Sequence, residues 1–307
     1  MNLKVICLPL KKMVMDYAKA IKHVNGFVRP IRFISRNFGT DEIIPGAGTL
    51  FFVNGEGVAI TCKHITDLLK QVDPIQQKYQ HFLQQKHTLN DTQSIQTLAQ
   101  NMGYDAYTTA ELLFTFVDCF DQIHGFQIIE HPTYDLAIIK FQGFNRISYQ
   151  SAAVFPKSND YVEAGNFFCR LGYPFPEFTN FYYDILTERM EWTSTGITLS
   201  PQFPIDGMVT RKINHPQTRE EFGIELSRPG LRGQSGGPLF DEQGLVFGLQ
   251  SMTSHLHLGF DILQKEEIIQ GKKVQISNHP YLNLGICVNH VVIKEFLRNH
   301  HIPFFEN

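Results

Sequence analysis

The sequence predicts a β-rich protein of the barrel or sandwich kind, interrupted by one helical insertion and closed by a C-terminal helix. Three observations predict it. Short apolar runs separated by glycine-containing turns recur before residue 65 and again after about Phe114. Between them, at about 66–112, the apolar residues take helical spacing. Near the end, Asn289 stands as a cap ahead of the run Val291 to Asn299.

Taken in order, the segment from Ile44 reads as two short strands. Gly46-Ala47-Gly48 opens it, Leu50 to Val53 is apolar, Asn54-Gly55 is a strong hairpin signal, and Val58 to Ile60 follows. Next, Ile75, Tyr79, Phe82 and Leu83 fall on one helical face, with Pro74 placed for a first turn. A second helix begins with Asp91 as cap, carries Ile95, Leu98, Ala99 and Met102 on one side, and stops at Gly103. Strand patterns return at Phe114–Phe120, Phe126–Pro132 and Asp135–Phe141. From Tyr161 onward they continue at Ala164–Pro174, Trp192–Ser200, Ser235–Ser251 and Asn283–Val288. With no repeat, low-complexity tract or linker, 1–307 reads as one unit: an N-terminal half at 25–150, a C-terminal half at 151–290 and a closing helix at 290–300.

The bulk properties narrow the function classes. Across 307 residues, 43% hydrophobic and 19% charged content argues against disorder. A formal charge of −3 gives no electrostatic case for nucleic acid as a partner. The apolar stretch Val5 to Leu10 is too short for a secretory core, and no window approaches the roughly 18 apolar residues of a membrane span. The five cysteines (Cys7, Cys62, Cys119, Cys169, Cys287) are odd in number, widely spaced and without a CxxC pair. They read as buried thiols of a reducing compartment, so the expected location is cytoplasmic, without membrane contact.

The chemistry centres on Gly233-Gln234-Ser235-Gly236-Gly237-Pro238. A nucleophilic serine needs an exposed hydroxyl on a sharp turn and backbone N–H groups aimed at the oxygen that becomes negative. Glycines on both sides permit that backbone and leave the N–H groups uncovered. His64 stands just past the apolar strand Val58–Thr61, and Asp135 leads the strand Leu136–Lys140. A base and an orienting carboxylate are thus present, in the order His, Asp, Ser.

These motifs resemble those of the chymotrypsin/trypsin-like serine peptidases, particularly their disulfide-free bacterial branch that includes the HtrA/DegP proteases. The matching segments are Thr61-x-x-His64, Asp135 to Lys140, and Gly233-x-Ser235-Gly236-Gly237-Pro238. Gly172-Tyr173-Pro174, Thr195-Gly196-Ile197 and Gly285 agree more weakly, and the resemblance covers roughly 25–300. It implies a double six-stranded β-barrel with His64, Asp135 and Ser235 as catalytic triad. It also implies an oxyanion hole on the loop Gly233, Gln234, Ser235, formed by the Gly233 and Ser235 N–H groups, with no metal or organic cofactor. The substrate pocket falls between one wall at Pro229 to Arg232 and another at Ser251, Met252 and Thr253, with Gly285 beside them.

Three departures from that pattern stand out. Gln234 occupies the place where secreted members carry an aspartate that pairs with a freed N-terminal amine, so activation by N-terminal cleavage is not expected. The helical segment 66–112 is inserted between His64 and Asp135, as a pair packed on the barrel or as a lid or docking surface for a regulatory protein. A stretch of about thirty residues separates Ser251 from Gly285, and neither pocket wall shows an acid. Arg232 reads as solvent-facing. His255 and His257 alternate on a possible strand, but two ligands do not make a metal site, and His300-His301 reads as a wet helix end. The function expected is an intracellular serine endopeptidase acting on a protein or peptide. The alternatives are a silent peptide-binding module of the same fold and an esterase or acyl transferase.

Overall fold

The computed structural model describes residues 16–158, 160–269 and 272–307; Cys7 and the Val5–Leu10 stretch lie outside them. The chain enters through α1 (Tyr17–Asn25), whose cap Asp16 accepts a hydrogen bond from the Lys19 N–H at 2.9 Å. Six strands follow: β1 (Val28–Asn37), β2 (Ile43–Phe52), β3 (Val58–Thr61), β4 (Thr109–Phe116), β5 (Gly125–Glu130) and β6 (Ala137–Gln142). They form one antiparallel sheet in the order β4-β1-β2-β3-β6-β5. Its edges carry no mutual ladder among the described residues; aromatic rings close the curl instead. Phe126 of β5 packs edge-on against Phe114 and Phe116 of β4, with ring centroids 5.9 and 5.4 Å apart.

The insertion is helical as expected but starts earlier. The first helix, α2 (Lys63–Lys86), encloses Pro74 instead of beginning there. Ile65, Leu69 and Val72 extend upstream the buried face that Tyr79, Phe82 and Leu83 continue, and that burial offsets the roughly 3 kcal/mol cost of an interior proline. The second helix, α3 (Thr92–Asn101), is capped by Asp91.

The second half runs through β7 (Val154–Phe155), β8 (Phe167–Gly172), the hairpin β9 (Phe181–Asp184) and β10 (Arg189–Trp192), then β11 (Phe203–Asn214) and β12 (Glu221–Leu226). It continues through β13 (Pro238–Phe240), β14 (Val246–His257), β15 (Ile262–Ile269), β16 (Lys272–Asn278) and β17 (Tyr281–Asn289). Last come α4 (His290–Asn299) and β18 (Phe305–Glu306). Here the ladder closes fully, as β11-β12-β17-β14-β13-β8. The curled sheet and the closed barrel form the chymotrypsin-like double barrel that the motifs imply.

Two segments differ from expectation. Beyond Trp192 the predicted strand 192–200 is loop, because the Thr193 hydroxyl takes the Thr195 N–H and Gly196 adopts a φ of +100°. The long stretch after Ser251 is a β extension: β14 and β17 stay paired out to His257 and Tyr281, and β15 and β16 form a hairpin beyond them.

Candidate active site

The ends of strands bring the site residues together. Thr61 ends β3 and α2 begins at Lys63, so His64 sits on the first turn of the inserted helix. Asp135 lies just before β6. Its Oδ1 accepts from the His64 backbone N–H at 3.0 Å, and its two oxygens lie 3.1 and 2.9 Å from His64 Nδ1. Ser251 Oγ donates to Oδ2 at 2.6 Å. The carboxylate therefore satisfies an orphan N–H at the start of α2 while it orients the ring. Burial works to raise the Asp135 pKa, but the bonds from the His64 ring, Ser251 and the His64 N–H outweigh it and hold the group at about 2. An ionised acceptor assigns the proton to Nδ1 and leaves Nε2 as a base.

Ser235 stands on a loop with left-handed glycines at both ends. Gly233 has φ +95° and Gly236 +88°, and a Cβ on Gly236 would lie 1.9 Å from the Thr49 carbonyl. Thr49 braces the loop twice: its N–H donates to Ser235 O at 2.9 Å and its hydroxyl to Gly233 O at 2.8 Å. On the far side the Gly236 N–H donates to Gln250 O at 2.9 Å. Among the described residues, the N–H groups of Gly233 and Ser235 have no acceptor. Gln234 is different. Its own N–H donates to Leu231 O at 3.0 Å, its Oε1 accepts from the Leu231 N–H, and its Nε2 donates to Phe203 O at 2.9 Å. It is a fully buried anchor, not an oxyanion donor. Ser235 Oγ donates to Ser251 O at 3.4 Å, and no hydrogen bond joins it to His64 among the described residues.

The expected pocket walls stand side by side. Thr253 of β14 pairs with Gly285 of β17, and its hydroxyl accepts from the Gly230 N–H at 3.1 Å and donates to Gly230 O at 2.9 Å. Pro229 neighbours Gly230 on that loop. Ser251 is buried with its hydroxyl on Asp135, whereas Met252 is 54% exposed and its carbonyl accepts from Gln250 Nε2. Arg232 is exposed. Together with Gly233, Ala47, Pro174 and the α2 residues Leu68 and Ile75 it lines a cavity of about 350 Å³. Sequence reasoning missed Thr49, Gln250 and Arg170. They bear on the site only through strand pairings remote in sequence, and no local motif marks them.

Two groups of potential metal ligands occur among the described residues. The first is Cys62, His64 and Asp135; there burial pushes the Cys62 thiol pKa well up, and Cys62 Sγ already donates to Gln250 O, so the set lacks a thiolate ligand. The second joins His257 and His279 to Asp261 Oδ1, both at 2.8 Å, while His255 turns instead to Asn283. His257 Nδ1 accepts from the Gly259 N–H, so its Nε2 carries the proton given to Asp261 and this exposed trio is satisfied without an ion.

The family model described as a trypsin-like peptidase domain matches residues 48–249, and the chain belongs to that peptidase family. Among solved structures it is similar to the HtrA-type protease AlgW with a tripeptide, at 14% identity and a TM-score of 0.45, covering 92% of this chain and 62% of that one. The same protease with a decapeptide matches at 14% identity and a TM-score of 0.47, covering 92% and 66% respectively. This chain thus spans at most about two thirds of the length of those chains. No curated protein matches the sequence.

Proposed function

We propose that this chain is a serine endopeptidase that cleaves a protein or peptide through His64, Asp135 and Ser235. The observation that carries the reading is the two-oxygen hold of Asp135 on His64 Nδ1 beside a serine loop with two unspent N–H groups. Ser235 Oγ adds to the substrate carbonyl and gives its proton to His64 Nε2. The developing oxyanion takes the Gly233 and Ser235 N–H groups, each such donor contributing about 3 kcal/mol. The C–N bond breaks, His64 returns the proton to the leaving amine, and water, with His64 again as base, hydrolyses the ester on Ser235. Gln234 sets the oxyanion loop with neutral hydrogen bonds, so a freed N-terminal amine has no role. The described cysteines, all buried and unpaired, support a reducing, intracellular setting. Because His64 rides on α2, a protein partner docking on the insertion has a direct route to control the base.

A second reading, a silent peptide-binding module, is favoured by the Ser235 hydroxyl turning to Ser251 O and not to His64. Nucleophile–base bonds are often formed only when substrate arrives. Digestion of a peptide library by wild type and Ser235→Ala separates the two: cleavage products confined to wild type support the endopeptidase, and peptide binding without products in either supports the module.

A further inference from the structure

The closed barrel holds a buried cation with no counter-charge among the described residues. Arg170 of β8 points into the barrel and is fully buried. Its Nη1 donates to Gln250 Oε1 at 2.6 Å, and its Nη2 to the carbonyls of Arg228 and Pro229 at 3.1 and 3.2 Å. Its Nε is buried without any acceptor. Among the described residues no carboxylate bonds it: Asp206, whose charge acts on it from a distance, is spent on Arg228 at the surface, at 3.0 Å. The other ion pairs show what is missing. Buried Arg36 has a carboxylate, Glu111, at 2.9 Å. An unpaired guanidinium taken out of water is strongly unfavourable. Among the described residues buried Arg32 also lacks a bonded carboxylate and is held by Ser200 Oγ and the Thr198 carbonyl, but Arg170 in addition keeps a buried Nε without an acceptor.

The place of this cation decides which anion reaches it. A Cβ on Gly285 would lie 2.4 Å from Arg170 Nη1, and one on Gly230 would lie 2.3 Å from Gln250 Nε2. Gly285, Gly230 and Thr253 are the facing walls of the substrate pocket. The guanidinium and its Gln250 partner therefore lie directly against the glycine backbones of the two walls, in space that any side chain at those positions would need. The Thr253 hydroxyl joins the two walls by bonding both the N–H and the carbonyl of Gly230, so an anion reaching the guanidinium has to displace it.

We propose that Arg170 is a specificity residue, selecting substrates with a carboxylate side chain, Asp or Glu, immediately before the scissile bond. The inference rests on the endopeptidase reading above. The substrate carboxylate completes the pair that the fold leaves unmade, while the uncharged isosteres Asn and Gln leave the cation as it is. The exposed Arg232 at the rim adds a cationic approach but does not set the choice.

The test is protection of Ser235 from a fluorophosphonate by peptide aldehydes that differ only in the residue before the aldehyde: Glu, Asp, Gln, Asn, Ala, Leu or Lys. Expected is half-protection by the Glu or Asp aldehyde at a concentration at least about tenfold below that of its amide isostere. That difference should vanish in Arg170→Met and return in part in Arg170→Lys. Equal protection by acid and amide, better protection by Ala, Leu or Lys, or no protection by the acidic pair overturns the proposal on wild type alone, whether or not the variants fold. Absence of any fluorophosphonate labelling contradicts the endopeptidase reading instead.

Discussion

Asp135 is held by the His64 ring, the His64 N–H and Ser251 Oγ, and its pKa falls from the ordinary 3.8 to about 2 although burial alone would raise it. A depressed carboxyl pKa contributes stability that is present above about pH 4 and is lost as pH falls through about 2. The size is on the order of 2 kcal/mol. Acid titration of the folding free energy should therefore show an inflection in that window for wild type that is absent in Asp135→Asn. The same variant should lose about 10⁴-fold in turnover, because an amide no longer fixes the Nδ1–H tautomer; retention of near-full turnover would exclude Asp135 from the mechanism. Gln234→Ala removes both side-chain bonds of the loop anchor, and turnover should fall at least about tenfold with the circular dichroism spectrum unchanged. Residue by residue, His64, Asp135, Ser235 and the glycines were legible because their chemistry sits in short local motifs. Arg170 was not, since an arginine in a strand among Phe168, Cys169 and Leu171 gives no sign of facing inward without a partner.

At the scale of elements, α2 joins the base to the outer surface. Its inner face carries Ile65, Leu69 and Val72 directly after His64. Leu69→Ala should cost about 2–5 kcal/mol in denaturant unfolding and lower turnover as well, because the cavity lies between one and two turns from His64 on the same helix. The hairpin of β9 and β10 is tied to the sheet through Glu111 of β4, which takes Arg36 and Arg189 at 2.9 Å, and to this helix through the Lys86–Glu188 pair and the Arg189–Gln76 bond. Glu111→Gln leaves Arg36 buried without its charge, with an expected loss of about 3–5 kcal/mol and faster amide exchange at 181–192. At the turn from β13 to β14, burial lifts the Asp241 pKa to about 6 against backbone bonds that lower it. A raised carboxyl pKa contributes stability present below about pH 4 and lost as pH rises through about 6, so Asp241→Asn should raise the melting temperature at pH 8 and not at pH 4. The two inserted helices were legible from apolar spacing, but the start of α2 was not. Pro74 reads locally as a helix opener, and only the buried face contributed by Ile65, Leu69 and Val72 shows that the helix is already under way.

For the whole molecule, the arrangement is a curled sheet and a closed barrel whose facing ends bring the candidate residues together. The first carries His64 and Asp135 at its strand ends; the second carries the Ser235 loop and the expected pocket walls. One core of buried residues runs through both halves, from Phe27 and Phe52 to Leu171, Leu249 and Ile293, which keeps His64 and Ser235 in register. The double barrel could be anticipated from short strands, glycine turns and three ordered motifs. The closure of the first sheet by phenylalanine rings and the β extension after Ser251 depend on contacts between distant segments, which no local pattern encodes. In the proposed reaction this register makes Ser235 the nucleophile. That assignment is tested most directly by the intact mass of the protein after exposure to a fluorophosphonate, followed by peptide mapping. The account predicts a single adduct on Ser235 that is absent in Ser235→Ala and strongly slowed in His64→Ala. An unmodified mass for the folded wild type, or an adduct that persists in Ser235→Ala, would contradict it.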